Sequence, residues 1–322
     1  MNWKGMVMRA ASQTLNRLGY ELHRKPVAPT PTPLVPTRVG AHTVLLFENA
    51  RVYPGRVWDE KHNGELSRVV SLALTKYPDL AAIDVGANFG DTAAVVKTAG
   101  DVPIFCIEGD PRVFEILEQN IRQFPDVTAR NVLLGERVEE LPVVFQKEGW
   151  NLTVVPSSGP SSTTVSLTTL DECALGLEDL DRYRVLKVDV EGFDCRVIRG
   201  GMSYIERVRP VILMEYNREN MDAIGENGLD TLMRLRDAGY SAIVYFDQSG
   251  RMLLSTTLDE IDLIRDLHDY ANGRDGSIYY VDLCLFHTDD ADLAAEFTRT
   301  ERARRRGEPH HTSAVEVATV NA

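Results

Sequence analysis

The fold of this chain is constrained most by an alternation of short apolar segments with amphipathic ones, which repeats from about residue 80 to residue 287. The apolar segments have the length and β-branched content of buried strands, and the segments between them have helical spacing. Strands that alternate with helices form a parallel, doubly wound sheet with helices on both faces. We therefore predict an α/β fold with a mostly parallel, seven-stranded sheet. The predicted strands are LAAIDVGA, VPIFCIEGD, VTARNVLL, RVLKVDVEG, RPVILMEYN, SAIVYFD and SIYYVDLCLFH.

The flanking regions differ from this core in composition. Residues 1–40 predict an N-terminal helical extension, a basic amphipathic helix, followed by a proline-rich linker that cannot be helical. Residues 41–80 predict a further strand and helix, and residues 81–290 predict the main domain. Residues 291–322 combine an arginine cluster with the lack of a periodic apolar face, so we expect a disordered tail there.

The charge of the chain limits its partners. The formal net charge is −13, although residues 1–40 carry six Lys and Arg against one acid. An acidic main domain would repel a phosphate backbone, so no nucleic acid is expected as a partner. For the basic N-terminal helix three alternatives stay open: a homodimer contact, a contact with an acidic membrane surface, or packing on its own domain.

Cysteine usage and hydropathy indicate the compartment. The four cysteines are widely spaced, without the CxxC spacing of a zinc or redox site, so we expect buried thiols in a reducing environment. The sequence has no apolar run of the ~18 residues that a membrane span needs. We therefore expect a cytoplasmic protein, which would be peripheral at the inner membrane face if the basic helix binds acidic lipids.

The turn after the first core strand indicates the class of ligand. It reads DVGANFGD over residues 84–91, and ligands of open α/β sheets bind beyond the carboxyl ends of the strands. A dinucleotide site would have GxGxxG spacing, whereas this turn has GxxxG, and Asp84 and Asp91 would repel a diphosphate. A ligand with an ammonium and a sulfonium suits these carboxylates better, and S-adenosylmethionine is such a ligand. Asp91 alone is equally well explained as a helix cap.

The second core strand adds an acid to this site. Glu108 lies near the end of IFCIEGD, 24 residues after Asp84, where a carboxylate can accept hydrogen bonds from both ribose hydroxyls. Gly86 and Gly90 allow the backbone to turn tightly and approach a ligand. Together these residues predict a site for S-adenosylmethionine.

Five segments of the chain resemble the FkbM-type methyltransferase domain in order and spacing. They are IDVGANFGD, FCIEGDP, VSLTTLDEC, LKVDVEGFDCRVIRGG and RPVILMEYN, and they span about Leu80 to Asn217. The resemblance implies the Rossmann-like fold of S-adenosylmethionine-dependent methyltransferases. It also implies an O-methyltransferase that acts on a hydroxyl of a sugar, a glycolipid or a secondary metabolite.

The resemblance also implies roles for individual residues. The methionine end of the cofactor would be lined by Asp84, Gly86, Asn88 and Gly90. The ribose would be held by Glu108, and the adenine would lie beside Gly135 and Glu136. The chain departs from the family at Leu134, where a small residue usually precedes the glycine.

Three acids are the candidate catalytic residues. Asp189 and Glu191 follow the fourth core strand, and Glu215 ends the fifth. At neighbouring strand ends they could orient the hydroxyl, accept its proton or bind Mg²⁺, and we favour catalysis without a metal. The alternative is a structural role for Asp189 or Glu191, through ion pairs with Lys187, Arg196 or Arg199.

Other candidates outside the strand ends have structural alternatives. The segment Glu148–Thr164 is rich in Ser, Gly and Pro and is either a substrate lid, with Trp150 as a stacking face, or a surface loop. His268 and His287 are candidate bases, although a structural role is favoured for each. His310 and His311 are weak candidates for metal ligands.

Two other functions remain as alternatives to methyl transfer. One is a nucleotide-dependent oxidoreductase or epimerase, which the spacing of the glycine turn disfavours. The other is a non-catalytic binding protein of methyltransferase fold, which the presence of Asp84, Glu108 and Asp189 disfavours.

Overall fold

The computed structural model describes residues 33–51, 63–148, 151–157, 159–160, 162–271, 278 and 280–307. The predictions for the basic N-terminal helix, for Trp150 and for His310 and His311 lie outside these residues. The strands are β1 Leu34–Val39, β2 His42–Phe47, β3 Ala81–Val85, β4 Ile104–Glu108, β5 Val127–Asn131, β6 Leu133–Leu134, β7 Glu139–Glu148, β8 Asn151–Pro156, β9 Thr163–Thr168, β10 Tyr183–Val188, β11 Val211–Tyr216, β12 Tyr240–Asp247, β13 Met252–Thr257 and β14 Val281–His287. The α-helices are α1 Glu48–Arg51, α2 Gly64–Lys76, α3 Asp91–Ala99, α4 Pro111–Ile121, α5 Leu170–Ala174, α6 Asp194–Arg199, α7 Met202–Val208, α8 Arg218–Ala223, α9 Gly228–Asp237, α10 Ile261–Tyr270 and α11 Ala291–Arg306.

The central sheet confirms the predicted α/β class. Its strand order over the described residues is β13-β12-β14-β11-β10-β3-β4-β5. Five neighbouring strands, from β11 to β5, are parallel, and β14 is antiparallel to β11. The sequence predicted seven strands and missed β13, which pairs antiparallel with β12. Most residues of β13 are only partly buried, so the strand lacks the apolar run that identified the others.

The two faces of the sheet carry separate apolar cores because side chains alternate along each strand. One core contains Ala82 and Val185, and the opposite core contains Ile83 and Leu186. In the paired strands β3 and β10, Asp84 lies opposite Lys187. This register places both charged residues on the face of Ala82 and Val185, near the carboxyl ends of the strands.

A second, smaller sheet was not foreseen. Strands β6, β9, β7 and β8 pair in that order, and β8 occupies much of the segment interpreted as a lid or surface loop. The predicted strand VTARNVLL is divided between the two sheets, with β5 in the central one and β6 in the small one. The Ser and Gly residues that suggested a loop lie mainly between β8 and β9.

Both flanks of the main domain are more ordered than predicted. Residues 34–39 of the predicted linker form β1, which pairs antiparallel with β2. The prediction of disorder from residue 291 is wrong over 291–306, where α11 buries Leu293 and Phe297. The buried Glu301 of this helix is paired with Arg68. The described residues contain no helix that is long and apolar enough to cross a membrane.

Candidate active site

A cavity of about 300 Å³ lies at the carboxyl ends of β3, β4 and β10. Its polar wall residues come from the ends of these strands and the turns after them, and the small sheet contributes an apolar wall. The polar and glycine residues of the wall are Gly86, Asn88, Glu108, Gly109, Asp110, Asp189 and Glu191. The apolar residues of the small sheet in the wall are Leu133, Leu134, Phe145, Val154, Val165 and Leu167.

The glycine turn after β3 forms one wall of the cavity and requires its glycine. Gly86 has a φ of 78°, and a Cβ atom built on it would lie 1.8 Å from the carbonyl oxygen of Asp189. The Asp189 N–H in turn donates to the carbonyl of Val85 at 3.0 Å. The turn after β3 and the turn after β10 are therefore in direct backbone contact. Gly90 lies further along, at the start of α3.

Glu108 is held against this turn by backbone hydrogen bonds. Its Oε2 accepts from the Asn88 N–H at 2.9 Å, and its Oε1 accepts from the Asp110 N–H at 2.7 Å. Burial raises the pKa of Glu108, and these backbone N–H groups oppose the rise. The structure therefore brings Gly86, Asn88 and Glu108 together in one wall, and their contacts with a cofactor stay predictions.

Asp84 lies beneath the turn rather than in the wall. Its side chain is buried, and neither carboxylate oxygen accepts a hydrogen bond from the described residues. Lys187 Nζ lies 3.8 Å from Asp84 Oδ1 and 3.3 Å from Asp189 Oδ2. Burial raises the pKa of Asp84 to about 7, although Lys187 acts in the opposite direction. A direct contact of Asp84 with a ligand stays a prediction.

The three candidate catalytic acids occupy two different environments. Asp189 and Glu191 line the cavity, and Glu191 Oε2 accepts from Nδ2 of Asn220 at 2.9 Å. Glu215 is buried in β11 and does not line the cavity. Burial raises the pKa of Glu215 well above its usual value, and the nearby Asp189 and Glu191 add to the rise.

The ion pairs left open by the sequence are partly present. Lys187 pairs with Asp189, whereas Arg196 and Arg199 pair with Glu226. Lys187 itself is largely shielded from water. This lowers its pKa, but Asp189 and Asp84 raise it by more, so the net shift is upward. The ammonium therefore stays charged between the two acids.

The residues predicted beside adenine lie outside the cavity wall. The Glu136 carboxylate pairs with Arg199 at 2.9 Å. Gly135 packs against Gly200, where a Cβ atom would lie 2.2 Å from the Gly135 carbonyl oxygen. Leu133 and Leu134, just before them, contribute to the wall instead. The contact of Gly135 and Glu136 with adenine stays a prediction.

Asp194 supports the site and was missed by sequence reasoning. Its carboxylate accepts from the N–H groups of Val190 and Gly192, each at 3.0 Å, and so holds the turn that carries Asp189 and Glu191. Burial raises the pKa of Asp194 to about 7, and Asp189 adds to the rise. The spacing of an acid two residues after a turn glycine was the signal that could have found it.

The two candidate histidines are hydrogen-bonded to other groups of the protein. His268 Nδ1 is hydrogen-bonded to the Tyr216 hydroxyl at 2.7 Å, and His287 Nδ1 accepts from the Asp289 N–H at 3.0 Å. Among the described residues, no three or more His, Cys, Asp or Glu side chains are grouped so that they could hold a metal ion. The Mg²⁺ alternative is therefore unsupported.

Comparison with known proteins identifies the family. Residues 84–242 match the family described as the methyltransferase FkbM domain. The chain belongs to the FkbM-type methyltransferase family, and the matched domain covers about half of it. This membership implies an S-adenosylmethionine-dependent methyltransferase. The comparison with curated proteins found no match.

Three solved structures illustrate the similarity. The crystal structure of methyltransferase FkbM from Methylobacillus flagellatus KT is 14% identical with a TM-score of 0.39; the match covers 65% of this chain and 44% of that one. Precorrin-6y C5,15-methyltransferase from Geobacter metallireducens GS-15 is 14% identical with a TM-score of 0.32, covering 68% and 87%. TYW2 from M. jannaschii, in complex with AdoMet, is 10% identical with a TM-score of 0.38, covering 82% and 90%.

Proposed function

We propose that this protein is an O-methyltransferase that transfers the methyl group of S-adenosylmethionine to a hydroxyl of a sugar, a glycolipid or a secondary metabolite. One observation carries the proposal: a single cavity is lined by Glu108 in one wall and by Asp189 and Glu191 in another. The first acid is available to hold a ribose, and the other two are available to a hydroxyl.

The residues of the cavity fit the cofactor that the family implies. Glu108 presents an ionisable carboxylate beside the glycine turn, where its remaining lone pairs can accept from ribose hydroxyls. Ile107, Val132 and Leu133 offer an apolar surface for a flat base. The buried Asp84 has no hydrogen-bond donor in the described part of the chain, and a nearby positive charge would favour its ionised form. When bound, S-adenosylmethionine supplies a methyl group on positively charged sulfur.

We propose Asp189, which lines the cavity, as the proton acceptor. An alcohol attacks poorly while protonated, and a carboxylate within hydrogen-bond reach can orient it and take the proton. One Asp189 oxygen is ion-paired with Lys187 at 3.3 Å, which holds the carboxylate in place. We propose that the acceptor hydroxyl donates to Asp189 and that Glu191, held by Asn220, orients the same molecule.

The apolar wall supports an acceptor with an apolar portion. Phe145 is 41% exposed and faces the cavity together with Val154 and Val165. Val154 and Val165 also pack against the buried cluster of Leu167, Phe193 and Ile224. A glycolipid or an apolar secondary metabolite would bury this surface, whereas a free sugar would leave it in water.

Calorimetric titration with S-adenosylmethionine, S-adenosylhomocysteine and NAD tests the donor site. The first two are expected to bind and NAD is not. Binding of NAD without S-adenosylhomocysteine would refute the proposal and favour the nucleotide-dependent oxidoreductase or epimerase.

Transfer of a tritiated methyl group to a panel of free sugars, glycolipids and hydroxylated aromatic compounds tests the reaction. Asp189→Asn should keep the affinity for S-adenosylhomocysteine but reduce transfer by about 10²–10⁴-fold. The control is Asp262→Asn, at an exposed position of α10. Transfer should survive EDTA; its loss there would revive the Mg²⁺ alternative. Donor binding without transfer to any acceptor would instead support a non-catalytic protein.

Phe145→Ser tests the apolar wall. It should lower transfer to an amphiphilic acceptor while leaving the affinity for S-adenosylhomocysteine unchanged. Val138→Ser is the matched control, because Val138 is 66% exposed and lies outside the cavity wall. Equal transfer by wild type and Phe145→Ser would contradict the assignment of this wall to the acceptor.

A further inference from the structure

Lys187 occupies a position between two acids of the site. The register of β3 and β10 places it directly opposite Asp84, and Asp189 follows it by two residues, on the same side of the chain. Its Nζ lies 3.8 Å from Asp84 and 3.3 Å from Asp189. The lysine thus connects an acid beneath the glycine turn with an acid in the cavity wall.

These groups are shielded from water to different extents. The side chain of Asp84 is 3% exposed and that of Lys187 12%, whereas that of Asp189 is 31% exposed. Asp84 is also faced by Asp91 from α3 and by Cys106 and Glu108 from β4. Within the described residues, the ion pairs of Asp84 and Asp189 are both made with Lys187. A single ammonium is therefore shared by two carboxylates in an acidic environment.

We propose that Lys187 is a positioning residue that couples the two parts of the site: it holds Asp189 at the cavity wall and allows the buried Asp84 to release a proton when the cationic donor binds. This inference rests on the proposed function, because it requires the donor to bind beside the glycine turn. It concerns the charge state of the site, whereas the proposed function concerns its ligand and reaction.

The physical basis is the incomplete neutralisation of Asp84. The lysine contacts Asp189 more closely than Asp84, and the surrounding acids oppose ionisation of Asp84. Its pKa of about 7 leaves it about half protonated at pH 7. A positive charge entering the cavity favours the carboxylate, so the carboxyl proton leaves to the buffer as the donor binds. The negative charge that remains on Asp84 is balanced by the positive charge of the bound donor.

Counting the released proton tests this coupling. Full-length protein is titrated with S-adenosylmethionine at pH 7 in phosphate and in Tris, whose ionisation enthalpies differ, and the difference in observed heat gives the number of protons. Wild type should release about 0.3–0.5 proton. Binding of S-adenosylhomocysteine, which has no sulfonium charge, should release a smaller fraction of a proton.

Variants of the two residues make the test specific. Asp84→Asn has no carboxyl proton to release, so the number of protons released on donor binding should be near zero. The proton count of Lys187→Met should also approach zero at pH 7. Its affinity for S-adenosylmethionine should be at least tenfold weaker than that of wild type at pH 7 and should recover towards pH 9, as Asp84 ionises. Lys187→Arg should restore both the proton count and the affinity for S-adenosylmethionine. Lys97→Met is the matched control: this lysine is similarly shielded, but its ion pairs are with Asp101 and Asp126 and not with the acids of the site.

The outcomes separate the two proposals. If neither S-adenosylmethionine nor S-adenosylhomocysteine binds wild type, the proposed function fails. If they bind without proton release, or if Lys187→Met keeps the wild-type count, the role of Lys187 is refuted while the proposed function stands. Since Asp84→Asn and Lys187→Met change different residues, misfolding of one variant leaves the other to decide.

Discussion

Replacing Asp84 by asparagine should stabilise the protein at alkaline pH, although it removes a group from the proposed donor site. Asp84 is 2% exposed and accepts no hydrogen bond from the described residues. Burial raises its pKa from 3.8 to about 7. Between those pH values the native state holds a proton that the unfolded chain has lost. The stability from this proton is complete below about 3.8 and is lost as the pH rises to about 7.

The magnitude follows from the two pKa values. One pKa unit corresponds to about 1.4 kcal/mol, so the complete loss for Asp84 is about 4 kcal/mol. About 2.5 kcal/mol of this loss develops between pH 5 and pH 8. Asparagine is neutral at both pH values. The free energy of unfolding of Asp84→Asn, relative to wild type, should therefore increase by about 2.5 kcal/mol from pH 5 to pH 8.

Urea unfolding followed by circular dichroism at pH 5 and pH 8 measures this difference. Groups distant from Asp84 titrate alike in both proteins, so their contributions cancel in the comparison. The control Asp262→Asn, at an exposed helix position, should leave the free energy of unfolding nearly unchanged at either pH. If the difference in free energy of unfolding between Asp84→Asn and wild type were the same at pH 5 and pH 8, Asp84 would be ionised at both pH values. That result would refute the argument from burial.

Three further predictions follow from other contacts. Glu108→Ala should weaken binding of S-adenosylhomocysteine by about 100-fold in calorimetry, since about 3 kcal/mol of hydrogen bonding is removed; Glu118→Ala, exposed on α4, should not. Arg199→Met should lower the free energy of unfolding in urea by about 3 kcal/mol, because it leaves Glu226, 6% exposed, without its main partner; a loss below about 1 kcal/mol would contradict this. Burial lowers the pKa of His268, so its contribution to stability is present above about pH 6.5 and lost on acidification. His268→Gln should flatten the fall in melting temperature between pH 7 and pH 5.

Much of the fold could be predicted from local patterns. The order of strands and helices is visible because buried strands are continuous apolar runs and helices repeat with a different period. The carboxyl ends of parallel strands meet at one edge, so the placement of Gly86, Glu108 and Asp189 around one cavity could also be anticipated. β13 and the small sheet escaped prediction because half-buried strands have no such runs, and their pairing stabilises them instead.

The residues that tune the site could not be found in this way. Asp194 and the apolar wall with Phe145 contact the site through loops and a second sheet, whose path depends on packing far along the chain. The pairing of Glu136 with Arg199 likewise joins residues whose proximity no local pattern indicates.

The primary structure alone thus specifies the class of fold, the glycine turn and the acids at the strand ends, since each depends on neighbours a few residues away. The charge state of those acids depends on folding. Lys187 lies between Asp84 and Asp189 only because β10 pairs with β3 in one register. Burial then determines whether Asp84 keeps its proton, because the energy of a charge depends on the water and ions around it and not on its place in the chain.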